Sequence, residues 1–159
     1  MTMKIVLLIC FTFLSSLYFS QSKEISSSYD KIGKFSDGYA FVYKGNLIGI
    51  INIDGKEIIK PEYDKLSSFG SDNIAYSTKK GLMGLISKEG KVIIDNIYDN
   101  IGPFKNSTAF VKKGNLYGVV NKEGKILIDV KYSKLKYEDG GVIRATKADG
   151  NMVLIKPSK

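Results

Sequence analysis

Lysine follows glycine at Lys56, Lys91 and Lys125, each time at the same place in a recurring segment, and aspartate recurs at Asp30, Asp64 and Asp99 with the same spacing. Two chemistries lie within reach of such residues. A ladder of lysines grips anions through screened electrostatics, and a pair of carboxylates flanking a glycosidic bond can hydrolyse it. The sequence has no histidine, which excludes Ser-His-Asp and Cys-His catalysis, HExxH zinc sites and any His-ligated metal. Asp54 or Asp95 with Asp129 forms no compact Asp-x-Asp-x-Asp-Gly loop, so no calcium or other metal is expected. No glycine-rich phosphate loop stands between a strand and a helix; Gly81-Leu82-Met83-Gly84 belongs to a hairpin, and no cofactor is expected. The three acids each open their segment as Tyr-Asp, where a short carboxylate bonds the backbone of a turn. No residue is assigned a catalytic role. The binding-site residues are Lys56, Lys91 and Lys125, against the plainer reading that they are solvated turn charges which also discourage edge-to-edge aggregation.

What must position these side chains is a repeat. Tyr29, Tyr63, Tyr98 and Tyr132 stand 34, 35 and 34 residues apart. Each of the first three is followed by Asp, by a Phe six residues later, by an Ala-led strand, by a Gly inside the next strand and by a Gly-Lys turn. Apolar residues follow strand spacing throughout, as in Ala40-Phe41-Val42-Tyr43 and Leu47-Ile48-Gly49-Ile50-Ile51, and nothing reads as a long amphipathic helix. Lys44-Gly45-Asn46 and Lys113-Gly114-Asn115 suit tight hairpins, with Lys80-Gly81 a shifted version. Asp54-Gly55, Glu89-Gly90 and Glu123-Gly124 make a second turn, with Asn52, Ser87 and Asn121 two residues upstream to bond its backbone. The fold expected is all-β: tandem antiparallel meander or hairpin repeats of about 34 residues, three full and one partial, stacked as an open β array or a propeller-like arrangement.

Ile48-Gly49-Ile50-Ile51 and Tyr117-Gly118-Val119-Val120 are apolar at successive positions, so both faces of that strand need cover and consecutive units must stack. Gly49, Gly84 and Gly118 then read as sites where a neighbouring sheet approaches closely, with Phe35, Phe69 and Phe104 as the expected neighbours. The last copy starts at Tyr132-Ser133, gains residues around Asp139-Gly140-Gly141, recovers at Ala145 and lacks a second Gly-Lys turn, as a terminal cap would.

The N-terminus carries Lys4, the apolar run Ile5 to Phe19 and the small exit Ser20-Gln21-Ser22. Residues 1–22 read as a secretory signal peptide, the run falling short of the roughly 20 residues a membrane span needs. Cys10 lies inside that run after Ile9, the wrong setting for lipidation, and leaves with it. No transmembrane span is expected after cleavage. Residues 23–28 form a flexible lead, and 29–159 a single β-repeat domain divided 29–62, 63–97, 98–131 and 132–159. Cleavage removes Lys4 and no acid, so the net charge of +8 becomes +7, a surface suited to anionic partners. Tyr43, Tyr76 and Tyr117 beside basic residues do not make a nucleic-acid site, because export removes the chain from such targets and Tyr is itself strand-favouring.

The pattern Tyr-Asp-x-Ile/Leu…Phe…Ala-x-Val…Lys-x-Gly-x-x-Gly…Gly-Lys-x-x-Ile resembles the WG repeat, a bacterial β repeat whose usual core is Lys-Trp-Gly followed by Ile-Asp. The resemblance covers Tyr29 to about Ile155. The chain has no Trp, and the Trp position holds Ile48, Met83, Tyr117 and Val153, so no role of that Trp carries over. The resemblance implies a β-repeat array used for binding or scaffolding, without a common catalytic site. The expected function is an exported, non-enzymatic binding or scaffolding module at the cell envelope or outside the cell, whose partner is a protein or an anionic glycan or lipid. A small carboxylate-dependent hydrolase and a purely structural repeat protein are the alternatives.

Overall fold

Short runs of β-branched and aromatic residues broken by glycine turns become, among the described residues, fifteen strands in four antiparallel sheets. The computed structural model describes residues 28–157. The expected leader, residues 1–22, and the lead up to Ser27 lie outside the described residues. Strands β1 (Lys31–Ile32), β2 (Tyr39–Lys44), β3 (Leu47–Asn52) and β4 (Glu57–Tyr63) form the first sheet in chain order. The second holds β5 (Lys65–Leu66), β6 (Ile74–Lys79), β7 (Leu82–Ser87) and β8 (Val92–Tyr98), and the third β9 (Asn100–Ile101), β10 (Thr108–Lys113), β11 (Leu116–Asn121) and β12 (Ile126–Tyr132). The fourth has three strands, β13 (Lys134–Tyr137), β14 (Ile143–Thr146) and β15 (Met152–Ile155), with a single 3-10 turn at Asp139–Gly141. Contacts divide the chain into two compact units, one ending at Glu62 and one beginning at Tyr63.

In the first unit Ala40, Val42 and Ile51 make a buried cluster, with Tyr29 and Ile32 packed on it. Pro61 stands in β4, a strand at the end of its sheet where proline is tolerated, at the place where that strand passes closely over Gly49.

In the second unit the sheets stack. Leu85, Ile94 and Tyr98 of the second sheet share a core with Ile101, Ala109, Val111 and Val120 of the third. Val119, Ile128 and Tyr132 of the third share another with Ile143 and Ala145 of the fourth. The successive residues Val119 and Val120 are each 0% exposed, so β11 is covered on both faces as its unbroken apolar run requires.

The glycines inside β3, β7 and β11 have a different neighbour from the one the sequence suggests. A Cβ at Gly118 would lie 2.7 Å from the Ile128 carbonyl oxygen and 2.9 Å from the Val130 nitrogen, and one at Gly84 would lie 2.5 Å from the Ile94 carbonyl oxygen. Both obstacles are backbone of the next strand in the same sheet. The register explains it: Tyr117 faces Tyr132 and Val119 faces Ile128, so β12 advances four residues while β11 advances two. The outer strand bulges over the glycine, and β8 does the same over Gly84. Phe35, Phe69 and Phe104 are not the neighbours; Phe35 is exposed, and Phe104 packs on the core between the second and third sheets.

The fourth sheet corrects the alignment of the last copy. Lys112 pairs with Tyr117, and the equivalent pair is Thr146 with Met152. Met152 therefore holds the Trp position and Val153 the glycine position, one residue away from the sequence reading, because the Lys147–Asn151 turn is longer than the two-residue turns of the other copies. Ala145 likewise stands at the place of Val111, not Ala109. Valine is admissible at 153 because, among the described residues, no outer strand pairs with β15.

Candidate functional site

The three lysines sit at the tips of the β3–β4, β7–β8 and β11–β12 turns. In each turn a short polar side chain shapes the backbone. Asn52 Oδ1 accepts from the N–H groups of Asp54 (3.1 Å) and Lys56 (2.8 Å), Ser87 Oγ from those of Glu89 and Lys91 (both 3.3 Å), and Asn121 Oδ1 from that of Lys125 (2.8 Å). Lys56, Lys91 and Lys125 are all exposed. Each is preceded two residues earlier by an acid, Asp54, Glu89 or Glu123, so the tips carry both signs of charge.

Lys91 lines a groove of about 510 Å³ with Asp72, Ser87, Glu89, Lys122 and Glu123, while Lys125 is not part of its wall. The second cation there is Lys122, whose Nζ lies 2.7 Å from Asp72 Oδ2 and 5.8 Å from the Phe104 ring centre. Little in the repeat pattern points to this pair, since Lys122 corresponds to Ile53 and Lys88 in the other copies. The hydrogen bond with Lys122, more than any other influence, holds the Asp72 carboxyl below its ordinary range. The Ser87 hydroxyl is the first cause that does the same for Glu89. A glycosidase needs one acid whose pKa is raised so that it can donate a proton, and both shifts run the other way. A second groove of about 580 Å³ runs between the third and fourth sheets, lined by Thr108, Asn121, Glu123, Tyr137 and Lys156 among others. Tyr137 forms its back wall, stacked on Phe110 at 4.1 Å between ring centres and donating from its hydroxyl to the Thr108 carbonyl at 3.0 Å.

The recurring acids are engaged in turns. Asp30 Oδ2 accepts from Gly45 N–H (2.6 Å), Asp64 Oδ2 from Gly81 N–H (3.1 Å) and Asp99 Oδ2 from Gly114 N–H (2.5 Å). Each carboxylate thus clamps the first hairpin turn of its own sheet. In the last copy Ser133 takes that place and donates to the carbonyls of Thr146 (3.1 Å) and Lys147 (3.0 Å). No group of three or more His, Cys, Asp or Glu side chains placed to hold a metal occurs among the described residues.

The sequence matches the family described as WG containing repeat in four tandem stretches, residues 24–47, 48–81, 83–117 and 117–151. The chain belongs to the WG-repeat family. WG-repeat matches begin at Ile48, Met83 and Tyr117, the Trp position, and therefore in the third strand of a sheet. The stretch 83–117 takes β7 and β8 from one sheet and β9 and β10 from the next. The search of curated proteins finds no match. Among solved structures, the WG-repeat chain is similar to the computationally designed Ika4 protein, at 16% identity over 80% of this chain and 89% of that one, with a TM-score of 0.37. It is also similar to Hsv2p of Kluyveromyces lactis, at 14% identity over 81% of this chain, with a TM-score of 0.38. The chain spans about half the length of that protein, 51%.

Proposed function

We propose that this WG-repeat chain is an exported, non-enzymatic binding or scaffolding module that meets an anionic glycan, lipid or protein surface through the turn lysines Lys56, Lys91 and Lys125. The observation that carries the reading is the contrast between the two recurring residue types: the acids are engaged in backbone turns, whereas the lysines stand exposed at the same turn in three copies. The net charge, +8 over the whole sequence and +7 without residues 1–22, favours such partners. Export rests on the character of residues 1–22.

The purified protein should be retained on heparin-like polysaccharide or on vesicles containing anionic lipid, and should elute earlier as salt rises. Exchanging Lys56, Lys91 and Lys125 together for Glu should abolish retention. Exchanging the exposed Lys44, Lys65 and Lys113 instead changes the net charge equally and should leave most of it. Equal losses in the two variants would reduce the effect to net charge, and a parent that does not bind at low salt would sink the anionic-partner reading. Export is read from the N-terminus of protein recovered outside the cytoplasm, which should begin near Lys23; an intact Met1 there would refute cleavage.

A further inference from the structure

The outer face of the fourth sheet departs from the other copies at one place in particular. Arg144, the only arginine of the sequence, stands where the other copies have Phe41, Tyr76 and Phe110. Within the second unit those aromatic positions reach the following sheet: the Tyr76 hydroxyl donates to the Gly102 carbonyl at 3.1 Å, and Phe110 stacks on Tyr137. Directly opposite residues share a face of a sheet, so two rows cross the outer face of the fourth. One runs Lys136, Arg144, Leu154 and the other Lys134, Thr146, Met152. The row equivalent to the first in the third sheet is Phe110, Val119, Ile128, apolar throughout. In the middle strand Arg144 has replaced an aromatic side chain, while the last strand keeps two large apolar side chains in water: Met152 is 65% and Leu154 68% exposed.

The backbone of β15 is equally open. Ser133 N–H donates to the Thr146 carbonyl at 2.8 Å, so Thr146 turns its main chain toward β13. By antiparallel alternation, Ala145 turns toward β15, Val153 toward β14, and Met152 and Leu154 turn their N–H and C=O groups outward. Among the described residues no strand takes them up. The edge Asn151–Ile155 carries no charge and no proline, the usual devices that keep an edge unpaired, which come only after it at Lys156 and Pro157. Glu138 answers part of the charge on the face, its Oε1 lying 3.1 Å from Arg144 Nε and 3.5 Å from Lys136 Nζ. Three cations, Lys134, Lys136 and Arg144, thus face one acid.

We propose that β15 and the outer face of the fourth sheet form a docking site for an extended acidic segment of a partner protein. The segment adds as a strand to the Met152 and Leu154 backbone, sets apolar side chains beside theirs, and directs a carboxylate to Arg144. Strand addition supplies affinity through the main chain, and side-chain rows supply selectivity; Arg is the cation best shaped for a carboxylate. The site shares no residue with the turn lysines, and its test is separate from theirs.

The probe is a synthetic peptide of alternating valine and glutamate, measured by fluorescence anisotropy at physiological salt against its valine–lysine counterpart. The acidic peptide should bind and the basic one should not. Arg144→Glu should weaken binding by about tenfold or more, the effect of reversing one charge-assisted pair. Lys44→Glu, at an exposed lysine of the first sheet that belongs to neither site, should leave it unchanged. Leu154→Pro, which removes an outward N–H, should abolish binding, and an acidic peptide N-methylated at alternate amides should fail against the unaltered protein. Absence of binding, equal binding of the two peptides, or undiminished binding of the N-methylated one overturns the proposal. So does a concentration-dependent dimer lost in Leu154→Pro, which would give the edge to a second copy.

Discussion

Gly118 and Val153 occupy the same position of the repeat and differ for a reason outside the strand that carries them. At Gly118 the outer strand β12 arches close enough that any Cβ meets backbone on both sides of the bulge; at Val153 no such strand is present among the described residues. Gly118→Val should therefore cost toward the upper end of the roughly 1–3 kcal/mol typical of overpacking, because two of the three nearest obstacles are main-chain atoms that cannot rotate away, the third being Val130 Cγ2. Gly114 has φ +60 and open space beyond it, so Gly114→Ala should cost only about 1 kcal/mol of backbone strain. Urea unfolding of the two variants checks the order, and a neutral Gly118→Val would refute the bulge as the cause. The glycine itself was legible in the sequence because it recurs at fixed spacing. Its partner was not, since a bulge changes register without changing the period. A similar blindness hides Ser77 and Asn96: each departs singly from its repeat, yet Asn96 Nδ2 donates to Ser77 Oγ at 3.0 Å and satisfies the hydroxyl of a buried serine.

Strands and turns were the most readable level, because hairpin chemistry is local. Gly45 and Gly114 take positive φ at the first central residue of their turns, as a II′ hairpin requires, while Lys80 and Gly81 are both positive, as a I′ hairpin requires. The shifted glycine of copy two thus marks a different turn and not a different connection. Contacts between elements were poorly readable where they rest on unrepeated residues. Lys122, in the β11–β12 turn, joins that turn to Asp72 in the β5–β6 loop and lies over Phe104 in the β9–β10 loop. An acid whose pKa is lowered by folding adds stability above its unfolded value, roughly 4, and that stability is lost as pH falls through the lower folded value. Lys122→Met should remove this contribution at pH 7 and flatten the acid limb below about pH 4. The pair is about one-third exposed, 33% and 31%, so the effect should be small and should shrink with salt. Urea midpoints of parent and variant at pH 7 and pH 3 decide it; parallel pH profiles would mean that the pair is not coupled to folding.

At the scale of the molecule, the sequence period predicts sheets that cannot bury both faces alone, and the second unit shows what that demands of its last member. The third sheet is covered by the second through the cluster of Leu85, Ile94 and Tyr98, and by the fourth through Ile143 and Ala145. Among the described residues the fourth sheet has no outer strand, carries Arg144 in place of an aromatic and exposes Met152 and Leu154, while its inward face puts Ile143 and Ala145 into the core shared with the third sheet. That division assigns it two separable tasks, covering the third sheet on one side and presenting a changed surface on the other. Deleting residues 133–159 should therefore leave Val119, Ile128 and Tyr132, now 0%, 5% and 7% exposed, open to water. The shortened protein should bind a hydrophobic dye and unfold at lower urea, because stability in stacked repeats resides largely in neighbour interfaces. Arg144→Ser, which alters the outward face and its partly exposed pair with Glu138, should leave the unfolding free energy within about 1 kcal/mol of the parent. If the deletion were as harmless as the point change, the fourth sheet would be no part of the core, and its inward apolar residues would need another explanation.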